Sequence, residues 1–380
     1  MFSLSHRFSI AIVREDDVKR VSLLLSLLLA LSLVLGGCAT SEPEPAPEPT
    51  PEPAPVEEPT DEEVLDIDPA LVGSTLNVFA AYGGKEEIFA QFEEDTGIKI
   101  EFLDMSSGEV LARMQAEAGS PIGDIWFGGG VDSFIAADND DMLERYVSPF
   151  AANVPAEYKD ADGAWTGISL VVVSVVFNTE VAEEKGAAIP ETWEDLTGPE
   201  YAGELLMPDP SISGTAYTTL SGLLQTFGEE EGWELFARLD ANMPYYAQRG
   251  GEPPTAANMG EIMAGIAPGI ATGAAEGYPV VTVFPKDGTP WWPAPVAIMK
   301  GAPNLEAAKV FVDWCLTKHG QEVLAEHDPR PPVRDDVPMP QVLIETGFPE
   351  ADLMTIDFVE IGRIRSDVID RWQEDFASKK

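Results

Sequence analysis

Between residues 75 and 135 the chain repeats one device three times: a β-rich run, a turn, then a helical pattern or helix-compatible start. "TLNVFAA" precedes "KEEIFAQFEEDTG", where Ile88, Phe89 and Phe92 share a helix face and Gly97 marks the stop. "IKIEFL" leads to "SSGEVLARMQAEAGS", with Val110, Leu111, Met114 and Ala118 on one face. "GDIWFGGG" supplies a third strand and a glycine turn. An amphipathic helix after each strand must bury its stripe on the sheet those strands form, so the alternation predicts an α/β fold. Ligands of open α/β sheets sit beyond the carboxyl ends of the strands. The loops at 80–84, 104–108 and 128–132 are therefore the candidates.

The 312 residues from Pro69 onward exceed what one core usually holds, so two domains are expected. The run "WTGISLVVVSVVFNTEV" is long and heavily β-branched, which suits a strand leaving one lobe and entering the other. "GYPVVTVFPKDGTPWWPAPVAIM", broken by Pro285 and the prolines at 290–295, suits a return crossing. Paired extended crossings make a hinge around a cleft. The expected division is 73–170 with 285–338 as lobe 1, and 171–284 with 339–380 as lobe 2.

At the amino end, Lys19-Arg20 precedes an apolar run and then Cys38, the anatomy of a secretory signal. The run is short for a spanning helix, which wants about 20 apolar residues. Leu35-Gly36-Gly37-Cys38 resembles a bacterial lipobox, which implies residues 1–37 as a lipoprotein signal peptide and a diacylglycerol on Cys38. The polar stretch before Lys19 is unusual ahead of such a run and points to a translational start near Val18. Residues 38–72 are rich in Pro and Glu, contain no basic side chain and read as a disordered tether. The only other cysteine, Cys315, lies among Val310, Phe311, Trp314 and Leu316 and reads as a buried thiol.

Residues 1–37 hold four basic and three acidic side chains, so the chain from Cys38 carries 19 against 63, a net charge of −44. That excludes nucleic acid as a partner and argues against docking on anionic lipid; solubility in a demanding medium is the simplest role for it. "DNDD" at 138–141 lacks the alternating ligands, glycine and terminal glutamate of a calcium loop and reads as a solvated turn.

One helix start stands out. Ser213-Gly214-Thr215 directly precedes Tyr217, Leu220, Leu223, Leu224 and Phe227 at helical spacing. It is a cap, and its backbone N–H groups are suited to an anion. Ser106-Ser107-Gly108 is a second such start in the other lobe, Gly129-Gly130 permits close backbone approach, and Arg249 with Gly250 lies in "YYAQRGGEPP". Tyr82 either stacks on a ligand or packs locally. Trp291-Trp292 either walls the cleft or packs the hinge.

"FEEDTGIKIEF", "SSGEVLARMQAEAGSPIGDIWFGGG", "ETWEDLTGPEYAGELLMPDPSISGTAY", "NLEAAKVFVDWCLTKHGQEVLAE" and "RPPVRDDV", in this order and spacing, resemble the type II periplasmic solute-binding proteins of ABC importers, with ferric-ion and phosphorylated-solute binders in the closest group. The resemblance spans about residues 75–340. It implies a two-lobed Venus-flytrap receptor that closes on one solute and presents it to a permease. The family's iron ligands match Gly84, Gly129 and Ile270-Ala271, none of which ligates metal, and the Tyr245-Tyr246 pair lies on a different segment. The serine-glycine start that holds the synergistic phosphate in those proteins matches Ser213–Thr215. Arg249 aligns with a polar anion contact that is more often serine or asparagine.

An enzyme is the competing class. The folded part has only His319 and His327, with no HExxH spacing and no G-x-S-x-G elbow. A receptor-coupled chemosensory binder would share the site. The expectation is a monomeric, lipid-anchored binder without a cofactor. Its solute is expected to be a phosphate- or phosphonate-bearing anion, contacted by Tyr82, Ser106, Ser107, Gly129, Ser213, Gly214, Thr215, Arg249 and Gly250. Ferric ion with a synergistic anion is the alternative, and a polyamine- or thiamine-type cation comes after it.

Overall fold

A computed structural model describes residues 63–117, 121–348 and 352–379. The signal, Cys38 and most of the tether lie outside them. The three strand–helix units form as the sequence predicts: β1 (Thr75–Ala80) and α1 (Lys85–Thr96), β2 (Lys99–Asp104) and α2 (Ser107–Glu117), β3 (Ile125–Phe127) and α3 (Val131–Asn139). β1 lies between β2 and β3, parallel to both. Ile88, Phe89 and Phe92 of α1 are buried, and Gly97 ends that helix in the left-handed conformation at φ 72°.

β4 (Thr166–Asn178) is the long crossing strand, buried at all of its positions. A strand covered on both faces is largely apolar rather than alternating, and three of the polar residues it does contain, Ser169, Ser174 and Asn178, are hydrogen-bonded. Beyond it come α4 (Thr179–Lys185), β5 (Leu205–Pro208), α5 (Gly214–Phe227), α6 (Glu229–Ala241), β6 (Tyr246–Ala247), α7 (Glu252–Asn258), β7 (Ala264–Pro268) and β8 (Val280–Val283). The chain returns through β9 (Trp291–Ile298) into α8 (Leu305–Leu316) and α9 (Lys318–His327). The strand order is β2-β1-β3-β9-β4-β7-β5-β6, with β8 also on β4. Residues 166–172 of β4 pair antiparallel with β9, and residues 173–178 pair with β7 and β8. One strand thus belongs to both lobes.

Three boundaries differ from the sequence reading. The end of the expected tether is part of the fold: Leu65, Ile67 and Leu71 pack on the core, and Glu63 accepts from the buried Arg334 at 2.7 Å and from Lys318 N at 2.6 Å. A buried guanidinium needs such acceptors, and the acidic composition that reads as disorder supplies one. Residues 285–290 sit with lobe 2. Buried Trp193 donates its backbone N–H to Asp287 at 3.1 Å and its indole N–H to the Gly288 carbonyl at 2.8 Å. Finally, the carboxyl-terminal segment touches both lobes. After α10 (Gln341–Glu345), α11 (Phe358–Arg363) packs against α3 with Gly362 on Ile135, while α12 (Arg365–Asp375) packs Trp372 against Tyr246 with ring centroids 5.0 Å apart.

Candidate functional site

The three lobe 1 loops after β1, β2 and β3 face the start of α5 and the segment after β6 across a cleft of about 630 Å³. All nine residues singled out in the sequence line it. Their environments divide them sharply.

On the lobe 1 side, the start of α2 is already engaged. Ser106 and Glu109 have capping-box spacing, with Ser106 N donating to Glu109 Oε2 at 2.7 Å. Ser107 Oγ accepts from Gly130 N at 3.0 Å, which ties the loop after β2 to the loop after β3. Gly108 N donates to the Ile212 carbonyl of lobe 2 at 3.1 Å. The second helix start is therefore a joint between loops and between lobes.

The start of α5 is different. Ser211 N and Ser211 Oγ both donate to Asp209 Oδ1, at 2.7 and 2.5 Å, forming an Asx turn that aims the chain into the helix. Ser213 is the N-cap but makes no side-chain capping bond, and the first intrahelical bond runs from Tyr217 N to Ser213 O at 3.0 Å. Among the described residues, the N–H groups of Gly214, Thr215 and Ala216 have no protein acceptor. Ser213 and Thr215 are only 4% and 6% exposed. Buried helix ends are ordinarily satisfied by side chains, water or ligand, so this one is a donor set directed at the cleft.

The lobes meet here. A Cβ on Gly214 would lie 2.5 Å from Gly130 Cα and 2.6 Å from Gly130 N, so only glycine permits this approach. Arg249 reaches across the cleft mouth to Asp104 at 3.3 Å and Glu109 at 3.9 Å, and Lys85 holds the same Asp104 at 3.1 Å. Gly250 lies against the Thr215 hydroxyl.

Tyr82 is 4% exposed, donates its hydroxyl to Ser169 Oγ at 2.7 Å and packs on Phe127 with centroids 4.8 Å apart. Burial holds its phenol well above the ordinary tyrosine range. Of the two roles open to it, packing is the one its contacts express. Trp292 lines the cleft and donates its indole N–H to Gly129 O at 2.8 Å; Trp291 instead donates to Met354 O at 2.8 Å, on the hinge.

The chain matches the family of bacterial extracellular solute-binding proteins over residues 121–346. It belongs to that family. Its architecture is that of the two-lobed type II periplasmic binding proteins, a family that binds small solutes for ABC permeases rather than catalysing reactions. The periplasmic binding protein AfuA from Actinobacillus pleuropneumoniae, solved with fructose-6-phosphate, is 28% identical; the match covers 80% of this chain and 98% of that one, with a TM-score of 0.75. A ferric binding protein from Campylobacter jejuni shares the fold at 22% identity and a TM-score of 0.67, over 79% and 98% of the two chains. A probable ABC transporter periplasmic-binding protein of Sinorhizobium fredii is 28% identical over 65% of this chain and 70% of its own.

Within this solute-binding protein the positions matched to iron ligands are structural. Gly84 and Gly129 adopt φ 57° and 110°, and a Cβ on Gly84 would strike the His327 carbonyl. Ile270 and Ala271 are buried among apolar neighbours. Tyr245 is 44% exposed and lines the cleft, whereas Tyr246 points into the core and donates to Asp240 at 2.6 Å. Tyr245 lies just before β6 and Tyr246 within it, and in this arrangement the two rings face different surroundings and do not converge on one ligand. Sequence reading placed Asp104 at the start of a candidate loop without giving it a role, and overlooked Lys85 and Arg330 in the cleft lining. The signal for Arg330 was "RPPVRDDV", a fragment whose apolar-looking prolines gave no reason to place it beside Tyr82.

Proposed function

We propose that this protein is the solute receptor of an ABC importer and captures a small molecule carrying a phosphate or phosphonate group. The observation that carries this reading is the buried start of α5, where Gly214, Thr215 and Ala216 present N–H groups without acceptors among the described residues, beside the Ser213 and Thr215 side chains. The helix dipole alone contributes about 0.3–2 kcal/mol. Micromolar affinity requires about 8 kcal/mol. Several converging hydrogen bonds to a charged oxygen, at roughly 1.5–3 kcal/mol each, close that gap in a site shielded from water. The neighbour that holds fructose-6-phosphate supports the same class of solute.

In this reading Arg249 is a closing residue: its pairing with Asp104 and Glu109 joins the lobes at the mouth, and an anion in the cleft would compete for its guanidinium. Lipid on Cys38 would anchor a monomer to the membrane, and among the described residues no helix is long and apolar enough to cross one.

The test is native mass spectrometry of the protein purified without phosphate, followed by titration calorimetry with inorganic phosphate on wild type, Ser213→Ala and Thr215→Val. An adduct with the mass of a phosphorylated or phosphonate compound, and weaker phosphate binding in both variants, is the expected result. An iron adduct, or phosphate affinity that neither substitution changes, would refute the assignment.

A further inference from the structure

Lobe 1 contributes a charged side chain to the cleft that plays no part in the anion site. Arg330, just beyond α9, lines the cleft with its side chain 9% exposed. Its guanidinium carbon lies 4.2 Å from the centroid of the Tyr82 ring, and Nη2 lies 2.7 Å from Asp328 Oδ2. Tyr82 is itself fixed by Ser169 and Phe127, so the guanidinium rests on a rigid platform. Its Nε is buried without a hydrogen-bond partner among the described residues. Burying a guanidinium this far is costly when its donors are incompletely matched. A packed, pre-oriented cation with donors left over is the usual form of a recognition residue in a cleft.

Charge limits what it can recognise. Asp328 already neutralises Arg330, and the lining sets Asp104, Glu252 and Glu261 against Lys85, Arg249 and Arg330. No net positive charge is left over for a second acidic group. The cleft, at about 630 Å³, is also much larger than an inorganic anion needs and falls in the usual range for organic ligands.

We propose that Arg330 is the second polar anchor for the solute. With the phosphate or phosphonate group at the start of α5, an uncharged oxygen of the same molecule, hydroxyl or carbonyl, accepts a hydrogen bond from the Arg330 guanidinium on lobe 1. Tyr82 then acts through Arg330, as its support. This inference rests on the reading of the α5 start as an anion site.

The experiment is calorimetry on the full-length protein with inorganic phosphate, glycerol 3-phosphate and 3-phosphoglycerate, in wild type, Arg330→Gln and Arg330→Lys. Wild type binds glycerol 3-phosphate more tightly than either inorganic phosphate or 3-phosphoglycerate. Both substitutions weaken glycerol 3-phosphate about tenfold or more and leave inorganic phosphate unchanged. Arg330→Lys keeps a cation beside Asp328, so its melting temperature stays near wild type and separates recognition from folding. Equal weakening of both ligands in the lysine variant, or of neither, overturns the proposal. So does an Arg330-dependent preference for 3-phosphoglycerate, because the second group would then be an acid. If wild type binds none of the three, the anion site itself fails, and Arg330 loses its role with it.

Discussion

Replacing Gly214 with alanine puts a methyl group where α5 meets the opposite lobe. It would lie 2.5 Å from Gly130 Cα, 2.6 Å from Gly130 N and 3.0 Å from Ser107 Oγ. Non-bonded carbons settle at about 3.5–4.0 Å, so the two main chains must move apart by about 1 Å. Two of the three atoms are backbone and cannot rotate away. The bond from Gly108 N to Ile212 O, 3.1 Å long, then leaves hydrogen-bond range. The clash falls between the lobes rather than inside either core, so the empty protein is expected to keep its melting temperature. A solute held by both lobes loses one such contact, about 1.5–3 kcal/mol, and its dissociation constant rises about ten- to a hundredfold. Calorimetry with inorganic phosphate measures the affinity, thermal denaturation of the empty protein measures the fold, and small-angle scattering measures the opening. Unchanged affinity with an unchanged scattering profile would refute the argument that this glycine contact sets closure. A large fall in melting temperature would show that the contact supports the fold instead.

Arg249→Ala should weaken phosphate binding while leaving the melting temperature almost unchanged, because a half-exposed ion pair contributes only about 0–1 kcal/mol; a clear fall in melting temperature would contradict this. The hydrogen bond from Arg334 lowers the pKa of Asp336. A depressed carboxylate stabilises the fold above its unfolded pKa and loses that contribution as pH falls through its folded one. Urea denaturation should therefore show Asp336→Asn costing stability at neutral pH and progressively less below about pH 4. Cys315 is wholly buried and burial raises its thiol pKa well above the usual value, so in a Cys38→Ser background it should react with a thiol reagent only on unfolding. Rapid labelling of the folded protein would disprove that.

Much of the architecture was legible because its signals are local and periodic. The helix faces of α1 and α2, the stop at Gly97 and the long, heavily β-branched run of β4 each identify an element from neighbouring residues alone. The alternation of strands and helices then located the loops at the carboxyl ends of β1, β2 and β3, and those loops do line the cleft. The boundary near residue 63 was misread because composition reports what a segment cannot bury, not what it can pair with; Glu63 is held by Arg334, far along the chain.

What the tertiary structure decided was the use of each candidate. The two Ser/Gly-containing helix starts look alike in sequence, yet Ser107 is bound to Gly130 and Gly108 to Ile212, while the first N–H groups of α5 have no protein acceptor among the described residues. Arg330 comes to rest on Tyr82 only because α9 returns to lobe 1 after both crossings are complete. Periodicity is a property of adjacent residues and can be read from them. Whether a donor finds an acceptor depends on which distant loop folds against it, and only the closed three-dimensional arrangement fixes that.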